Sequence, residues 1–442
     1  MKRFLALAAA VLTSTALLAG CHTETPKLNP DDPVVLSMWH VYGEQSDSPM
    51  NRLVAEFNET TGLEKGVIIN VTAISNSSAV DQKLRDAQAG VVGAGQFPDL
   101  FFCHSNSAAA LGPDNLLNWK DWFSPREQEA FVPEFLADGM VGDSLSVLPV
   151  SKSTHVLIFN GSQFQRFSAD TGVSKDDLAT WDGFFDAAEE FHRWSGGKPF
   201  CAIDFLLRAV ELNAASQGTP VQMADGWYDF SDPALRASWM EFARPLVQGH
   251  IIVSDLFSNT QVMTGEVEAG LGSSAAILYY NDTVTYEDNS TEPMKLFTLP
   301  MPAAEGGTPM ATQSGVGLCA AKTTPEKAQA AALFAHWLTE GDRNLDFVAQ
   351  TGYMPVNNES FAAIQDYPFL DEDYANLYQT LSTIRDTASV LTEPNMTGYY
   401  EKVNTLYTEL RKQQGDWARR RAQGADVAAL MEESWQLFSS IQ

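Results

Sequence analysis

The sequence predicts an α/β protein of two lobes, each built on a mainly parallel sheet flanked by helices. Three observations lead there. A chain of 442 residues outgrows a single hydrophobic core and divides into two domains or lobes. Near its start, short β-branched runs alternate with amphipathic helical stretches. That strand–helix–strand order implies parallel strands joined by right-handed crossovers. Hydrophobic content is 45%, and beyond the first eighteen residues no apolar run approaches a membrane span.

The elements follow in order. Val34-Val35-Leu36-Ser37-Met38-Trp39 suits a buried strand. Residues 51–59 place Leu53, Val54 and Phe57 on one helical face. Residues 66–74 are rich in β-branched side chains and predict the second strand. Residues 79–89 read as a helix and 97–102 as the third strand. Ligands on such sheets bind at the carboxyl ends of the strands, here residues 39–44 and 104–107. Residues 148–160 predict a further strand. Residues 181–194 form a helix with Thr180 as N-cap, Asp182 complementing the dipole, and Phe184, Phe185, Ala188 and Phe191 as a core-facing stripe. Thr324 and Pro325 open a helix reaching Leu338. A helix over 344–350 is stopped by Gly352 and Pro355. Val427, Met431, Leu437, Phe438 and Ile441 mark a last amphipathic helix. No internal repeat is present.

The first residues set an expectation for the compartment. Lys2 and Arg3 precede an uncharged apolar stretch, 4–18, of signal-peptide length. It ends in Leu18-Ala19-Gly20-Cys21, the pattern of a bacterial lipobox, whose cysteine thiol takes a diacylglyceryl group. Residues 22–33, with Pro26, Pro30 and Pro33, read as a tether. The formal charge of −28 opposes nucleic acid and anionic lipid surfaces, and fits solubility at a crowded cell surface. With Cys21 assigned to the anchor, Cys103, Cys201 and Cys319 remain, each among apolar neighbours. An odd set cannot form a closed disulfide framework; it leaves room for one disulfide and does not choose the pair. Without a C-x-x-C spacing, zinc is not indicated.

Several segments together resemble one family along nearly the whole chain. Trp39-His40 follows the first strand, and Phe97-Pro98-Asp99-Leu100 ends the third. Leu148-Pro149-Val150 with Ser153-Thr154 and Phe159-Asn160 comes next, then Thr180-Trp181. Gly265-Glu266 precedes Gly272-Ser273-Ser274-Ala275. Gln313-Ser314-Gly315-Val316-Gly317 and Thr351-Gly352-Tyr353-Met354-Pro355-Val356 complete the series. In this order they are similar to the family-1 extracellular solute-binding proteins of ABC importers, the maltose-binding type. The Gly-Tyr-x-Pro-Val segment is the most specific part, and the Trp39-His40 and Gly-Ser-Ser-Ala segments look most like the glycerol-3-phosphate-binding branch. The resemblance implies the two-lobed periplasmic-binding-protein fold (type II), with three interlobe crossings. Lobe one would comprise 34–149 plus 310–351, and lobe two 152–309 plus 352–442. It also implies a ligand in the cleft, ABC permease subunits as partners, and a monomer that performs no chemistry and needs no cofactor.

A polyol needs aromatic faces for its C–H surface and polar groups for its hydroxyls. Trp39, His40, Tyr42 and Glu44 stand after the first strand, and Ser105 and Asn106 after the third. Ser153 and Thr154 interrupt an apolar run at a crossing, and Asp204 and Phe205 follow another apolar strand. Ser273 and Ser274 lie beside Gly272 in a loop open to close backbone approach. Gly315 belongs to the second crossing, and Tyr353 to the third, where it offers both ring and hydroxyl. Tyr279 and Tyr280 read as core.

Enzyme patterns are weak by comparison. H-E-x-x-H and P-loop motifs are absent, and His40 with Glu44 is a lone pair. Gly272-Ser273-Ser274-Ala275-Ala276 lacks the second glycine of a nucleophile elbow. A lipid-anchored glycoside hydrolase is the enzyme alternative, and a sensing partner of a membrane receptor would use the same fold. Between ligands, a neutral carbohydrate is favoured over glycerol 3-phosphate or a glycerophosphodiester. A phosphate prefers an arginine fork or a free helix N-terminus, whereas Thr397-Gly398-Tyr399-Tyr400 brings tyrosines.

Overall fold

The computed structural model describes residues 28–43, 48–75, 77–255, 257–394, 396 and 398–441. The leader with Cys21, residues 22–27 of the tether, Glu44 and Thr397 lie outside the described residues.

Strand β1 (Val34–His40) leads through α1 (Pro49–Glu59), β2 (Val67–Ala73) and α2 (Ser77–Gln88) to β3 (Leu100–Cys103) and α3 (Ser105–Leu111). Beyond a first passage between lobes come β4 (His155–Asn160), α4 (Trp181–Trp194), β5 (Cys201–Ile203) and α5 (Leu206–Ser216). Then follow α6 (Pro233–Gln248), β6 (Ile251–Val253), β7 (Ala269–Ser273), β8 (Leu296–Pro300) and β9 (Met310–Thr312). The chain returns for β10 (Gly317–Ala320), α7 (Pro325–Leu338) and α8 (Gly341–Ala349). It leaves again for α9 (Glu372–Thr387), β11 (Ser389–Leu391), α10 (Tyr399–Ala422) and α11 (Val427–Ser440).

Two sheets organise these elements. The first has the order β10-β3-β1-β2. Strand β1 runs parallel to β2 and β3, and β10 is antiparallel to β3. The second has the order β6-β5-β7-β4-β8. There β5 is parallel to β6 and β7, while β4 runs antiparallel to both β7 and β8. Because β4 is reversed, His155 at its start faces Ser273 at the end of β7. One end of the second sheet therefore gathers the carboxyl ends of β5, β6 and β7 with the amino end of β4.

The helices begin where the sequence places caps. Ser48 accepts from the Asn51 amide ahead of α1, Thr180 from Gly183 ahead of α4, and Thr324 from Lys327 ahead of α7. The stripe expected on α4 is core: Phe184, Ala188 and Phe191 are fully buried.

Two strand expectations are corrected. The third strand begins at Leu100, not at residue 97. Pro98 has no N–H to give a ladder. The Asp99 carboxylate instead accepts from the Ser37 amide and hydroxyl at 2.9 and 3.1 Å and pairs with Lys327 at 2.6 Å. The strand over 148–160 is ordered as sheet only from His155 to Asn160. Residues 148–154 are a passage between lobes, and their partners are the two other passages. Leu148 bridges Leu318, Ser153 bridges Ser314, and Lys152 bridges Met354.

Asn344 clips these passages together from lobe one. Fully buried, it donates to the Val150 carbonyl at 2.7 Å and accepts from the Val356 amide at 3.2 Å. Strand β9 pairs with β11 and packs on α5, so the second passage runs through Gln313–Gly317. At the third, Gly352 takes φ +73°, and a side chain there would strike Ile277 and the Ser274 carbonyl at 2.5 and 2.7 Å. Glycine serves both the left-handed backbone and the close approach. The apolar core runs through the passages as well: Leu36 and Met38 of the first sheet, Val156 and Ile158 of the second, and Ile277, Met354 and Val356 between them share one cluster.

Candidate ligand site between the lobes

The second sheet exposes aromatic side chains where its strands end. Phe205 follows β5, Phe257 follows β6 and Tyr279 follows β7, and they are 38%, 62% and 53% exposed. Tyr400, at the start of α10, is 41% exposed. Exposed rings at three adjacent strand ends are unusual, since burying them is the main gain of folding.

Phe205 lies flat on His155, with ring centroids 4.4 Å apart and planes 5° from parallel. His155 is buried, and burial, then the nearby Arg208 cation, lower its pKa to about 3, so the imidazole is neutral at physiological pH. Tyr353 stands at the third passage, part-buried against Tyr42. Burial and its neighbour Tyr279 push its phenol up, which keeps the Tyr353 ring a neutral hydrogen-bonding group. The Tyr400 hydroxyl donates to Glu393 at 2.8 Å. Its titration is shifted upward by burial, by Glu393 and, less, by Asp138 of the opposite lobe.

Two buried cations of this region are already matched. Lys152, buried on the first passage, pairs with Asp138. Arg208 pairs with buried Glu211 and also donates to the Leu391 and Thr392 carbonyls at 3.0 and 3.4 Å. Glu211 in turn accepts from Tyr228 and from Tyr399, the latter at 3.2 Å. Sequence reading missed Arg208 and Phe257, and found Tyr400 only as part of the Thr397-Gly398-Tyr399-Tyr400 segment. The available signal was an aromatic residue one to a few positions beyond a short apolar strand.

The residues singled out from sequence divide by position. Phe205 and Tyr353 lie among the rings just described, whereas Tyr279, expected in the core, is more than half exposed. His40 is fully buried; its Nε2 meets Asn51 at 2.8 Å and its Nδ1 accepts from the Tyr42 amide at 3.2 Å. Tyr42 is buried, hydrogen-bonded to Ser151 at 2.9 Å and packed edge-on against Phe102 and Phe347. Trp39 packs beneath the first sheet with Ile74, Val80 and Phe101. Ser105 donates to the Asp138 carbonyl, and the Asn106 side chain accepts from the Ser107 amide at 2.8 Å. Ser153 and Thr154 are buried within the passage, the Thr154 hydroxyl 3.4 Å from that of Thr312.

Asp204 spends both oxygens on Ser258, accepting from its amide at 2.7 Å and its hydroxyl at 2.9 Å. Burial outweighs these bonds and raises its pKa to about 6. Ser273 caps the turn after β7 by accepting from the Ala275 amide. The Ser274 hydroxyl is buried and has no partner among the described residues. Gly315 takes φ +116° against the backbone of Ser151 to Ser153. Among the described residues no group of three or more His, Cys, Asp or Glu side chains is placed to hold a metal ion.

Comparison with known proteins supplies the family. Residues 52–372 match the family model described as bacterial extracellular solute-binding protein. The chain belongs to the bacterial extracellular solute-binding proteins. Solved structures of similar fold carry a range of ligands. UgpB of Mycobacterium tuberculosis, solved with glycerophosphocholine, is 17% identical with a TM-score of 0.68, over 92% of this chain and 98% of that one. A substrate-binding protein of Listeria monocytogenes, solved with cycloalternan, is 14% identical with a TM-score of 0.68, over 92% and 98%. The cyclic alpha-maltosyl-1,6-maltose binding protein of Arthrobacter globiformis is 16% identical with a TM-score of 0.65, over 92% and 99%. The comparison with curated proteins found no match. At these identities the solved structures establish the two-lobed fold of this solute-binding protein, and its own residues must carry the argument about ligand. Among the described residues no helix is long and apolar enough to cross a membrane.

Proposed function

We propose that this solute-binding protein captures a neutral carbohydrate between its lobes and hands it to an ABC-type permease, held at the membrane by lipidated Cys21. The observation that carries the ligand class is the ring set Phe205, Phe257 and Tyr279, exposed at the strand ends of the second sheet, with Tyr400 exposed at the start of α10 and Tyr353 at the passage. Flat aromatic faces cover the C–H surface of sugar rings, and neutral phenols meet hydroxyls. Asn344, Gly352 and the three bridged passages support a hinge between lobe one, about 34–149 plus 314–351, and lobe two, about 152–313 plus 352–442. Ligand binding draws the lobes together, and closure is the state a permease recognises. The apolar leader ending at Cys21 supports export and anchoring.

A glycerophosphodiester is the second reading, favoured by the likeness to UgpB solved with glycerophosphocholine. The electrostatics weigh against it. Lys152 and Arg208 are each bound to a carboxylate, so neither offers a phosphate a charge-assisted bond without displacing Asp138 or Glu211. A thermal-shift screen over neutral oligosaccharides and glycerophosphodiesters tests the proposal. The expected result is a raised midpoint with an intact oligosaccharide. A response confined to phosphodiesters would reverse the ligand class, and hydrolysis of the oligosaccharide would point to the glycosidase alternative.

A further inference from the structure

The three cysteines of the described chain are all buried, but they are not equivalent. Cys201 lies in β5 of the second sheet, its thiol 3.5 Å from the Ala202 carbonyl. Cys103 closes β3 and Cys319 stands in β10, on adjacent antiparallel strands of the first sheet. Gly317 is opposite Cys103, and Phe101 is opposite Cys319. The two cysteines are therefore diagonal neighbours, two positions apart in register and on one face of the sheet. Their sulfur atoms are 3.5 Å apart, and both residues are inaccessible to solvent. Around them lie Ile74, Val80, Phe101, Leu116 and Val147.

We propose that Cys103 and Cys319 form a disulfide in the exported protein. Diagonal positions on adjacent antiparallel strands lie roughly 7–8 Å apart, above the roughly 4.4–6.8 Å between Cα atoms that a disulfide spans, so closing the bond draws β3 and β10 together locally around sulfurs that already face one another. An extracellular family has access to an oxidising compartment. The oxidant is a low-molecular-weight disulfide or a disulfide-carrying oxidoreductase of that compartment. One cysteine thiolate attacks the oxidant's sulfur and expels a thiolate. The second then attacks the mixed disulfide and expels the other. Two electrons pass from the cysteine pair to the oxidant, which leaves as two thiols, and the cysteine protons go to solvent or to those thiols. The hydrogen bond with the Cys319 thiol, then burial, push the Cys103 thiol well up, so the exchange belongs to folding, before β10 docks on β3.

The bond would connect positions 216 apart and enclose both the first passage and the second. Both sulfurs sit in one sheet of one lobe, so the cross-link leaves the hinge free. It should stabilise the chain without altering ligand affinity.

The test uses the full chain purified from the extracytoplasmic fraction. The protein is unfolded in guanidinium with N-ethylmaleimide and no reductant, digested, and its peptides are mapped. The expected result is maleimide on Cys201 and a linked pair of peptides holding Cys103 and Cys319, which separates on reduction. A phosphine reductant should lower the melting temperature of the parent by several degrees and leave the Cys103→Ala/Cys319→Ala variant unmoved. Maleimide on both Cys103 and Cys319 in the unreduced sample would overturn the proposal. A linked peptide containing Cys201 would overturn it equally.

Discussion

Replacing Phe205 with alanine separates a ring held for ligand from a ring held for stability. Phe205 leaves 38% of its surface open. For a side chain of roughly 200 Å² that is about 75 Å², of which a sugar ring covers about half. At about 25 cal/mol per Å², the contact contributes about 1 kcal/mol to binding, or about fivefold in Kd. In the free protein the substitution also uncovers the rest of the ring, about 125 Å² by the same count, including the face stacked on His155. Its cost to stability should be about 2–3 kcal/mol once the β-carbon that alanine keeps is discounted, at the low edge of the about 3–5 kcal/mol of a fully buried phenylalanine. Titration calorimetry with the oligosaccharide found by thermal shift, alongside urea unfolding, reads both quantities. Unchanged affinity would refute the placement of the ligand on this ring. A stability loss of core size would show that the ring belongs to the interior.

Three further outcomes are expected. Asn344→Ala leaves the Val150 carbonyl and the Val356 amide without their buried partners, and should cost about 2–4 kcal/mol in urea unfolding; a neutral result would show that the passages are not clipped from lobe one. His155→Phe should flatten the pH dependence of stability between pH 6.5 and about 3. Across that window the unfolded chain binds a proton at His155 that the native chain refuses, so the parent loses stability as pH falls. Equal slopes in the two proteins would contradict a buried neutral imidazole. Cys21→Ser should release the protein from the membrane fraction, and continued full partitioning into detergent would exclude lipidation at that residue.

Much of the architecture was legible because it rests on local rules. The β-branched segment around Val67–Ala73 and the helices capped by Thr180 and Thr324 needed no tertiary information. Residues 148–154 misled because a passage that pairs with other passages has the same apolar composition as a buried strand. Helix α10 was not anticipated. Its charged surface leaves only Tyr399, Leu406, Tyr407, Leu410 and Trp417 buried, too thin a stripe to stand out. The site was less legible than the fold. His40 and Tyr42 follow a strand as site residues do, yet the chain turns back and Tyr42 reaches Ser151 inside the core. Phe257 and Tyr400 look in sequence like any of the other aromatic residues. Only the order of strands in the second sheet, which sets β6, β5 and β7 side by side, brings Phe257 near Phe205 and Tyr279. Arg208 was hidden for the same reason, since its partners Leu391 and Thr392 lie far away in sequence.

The central claim, capture of a neutral carbohydrate by closure of two lobes, is tested most directly by small-angle scattering on the full chain with and without the saturating oligosaccharide. The account predicts a smaller radius of gyration with ligand, as the hinge at the three passages closes. An unchanged profile at saturation, with binding verified in the same sample, would contradict it.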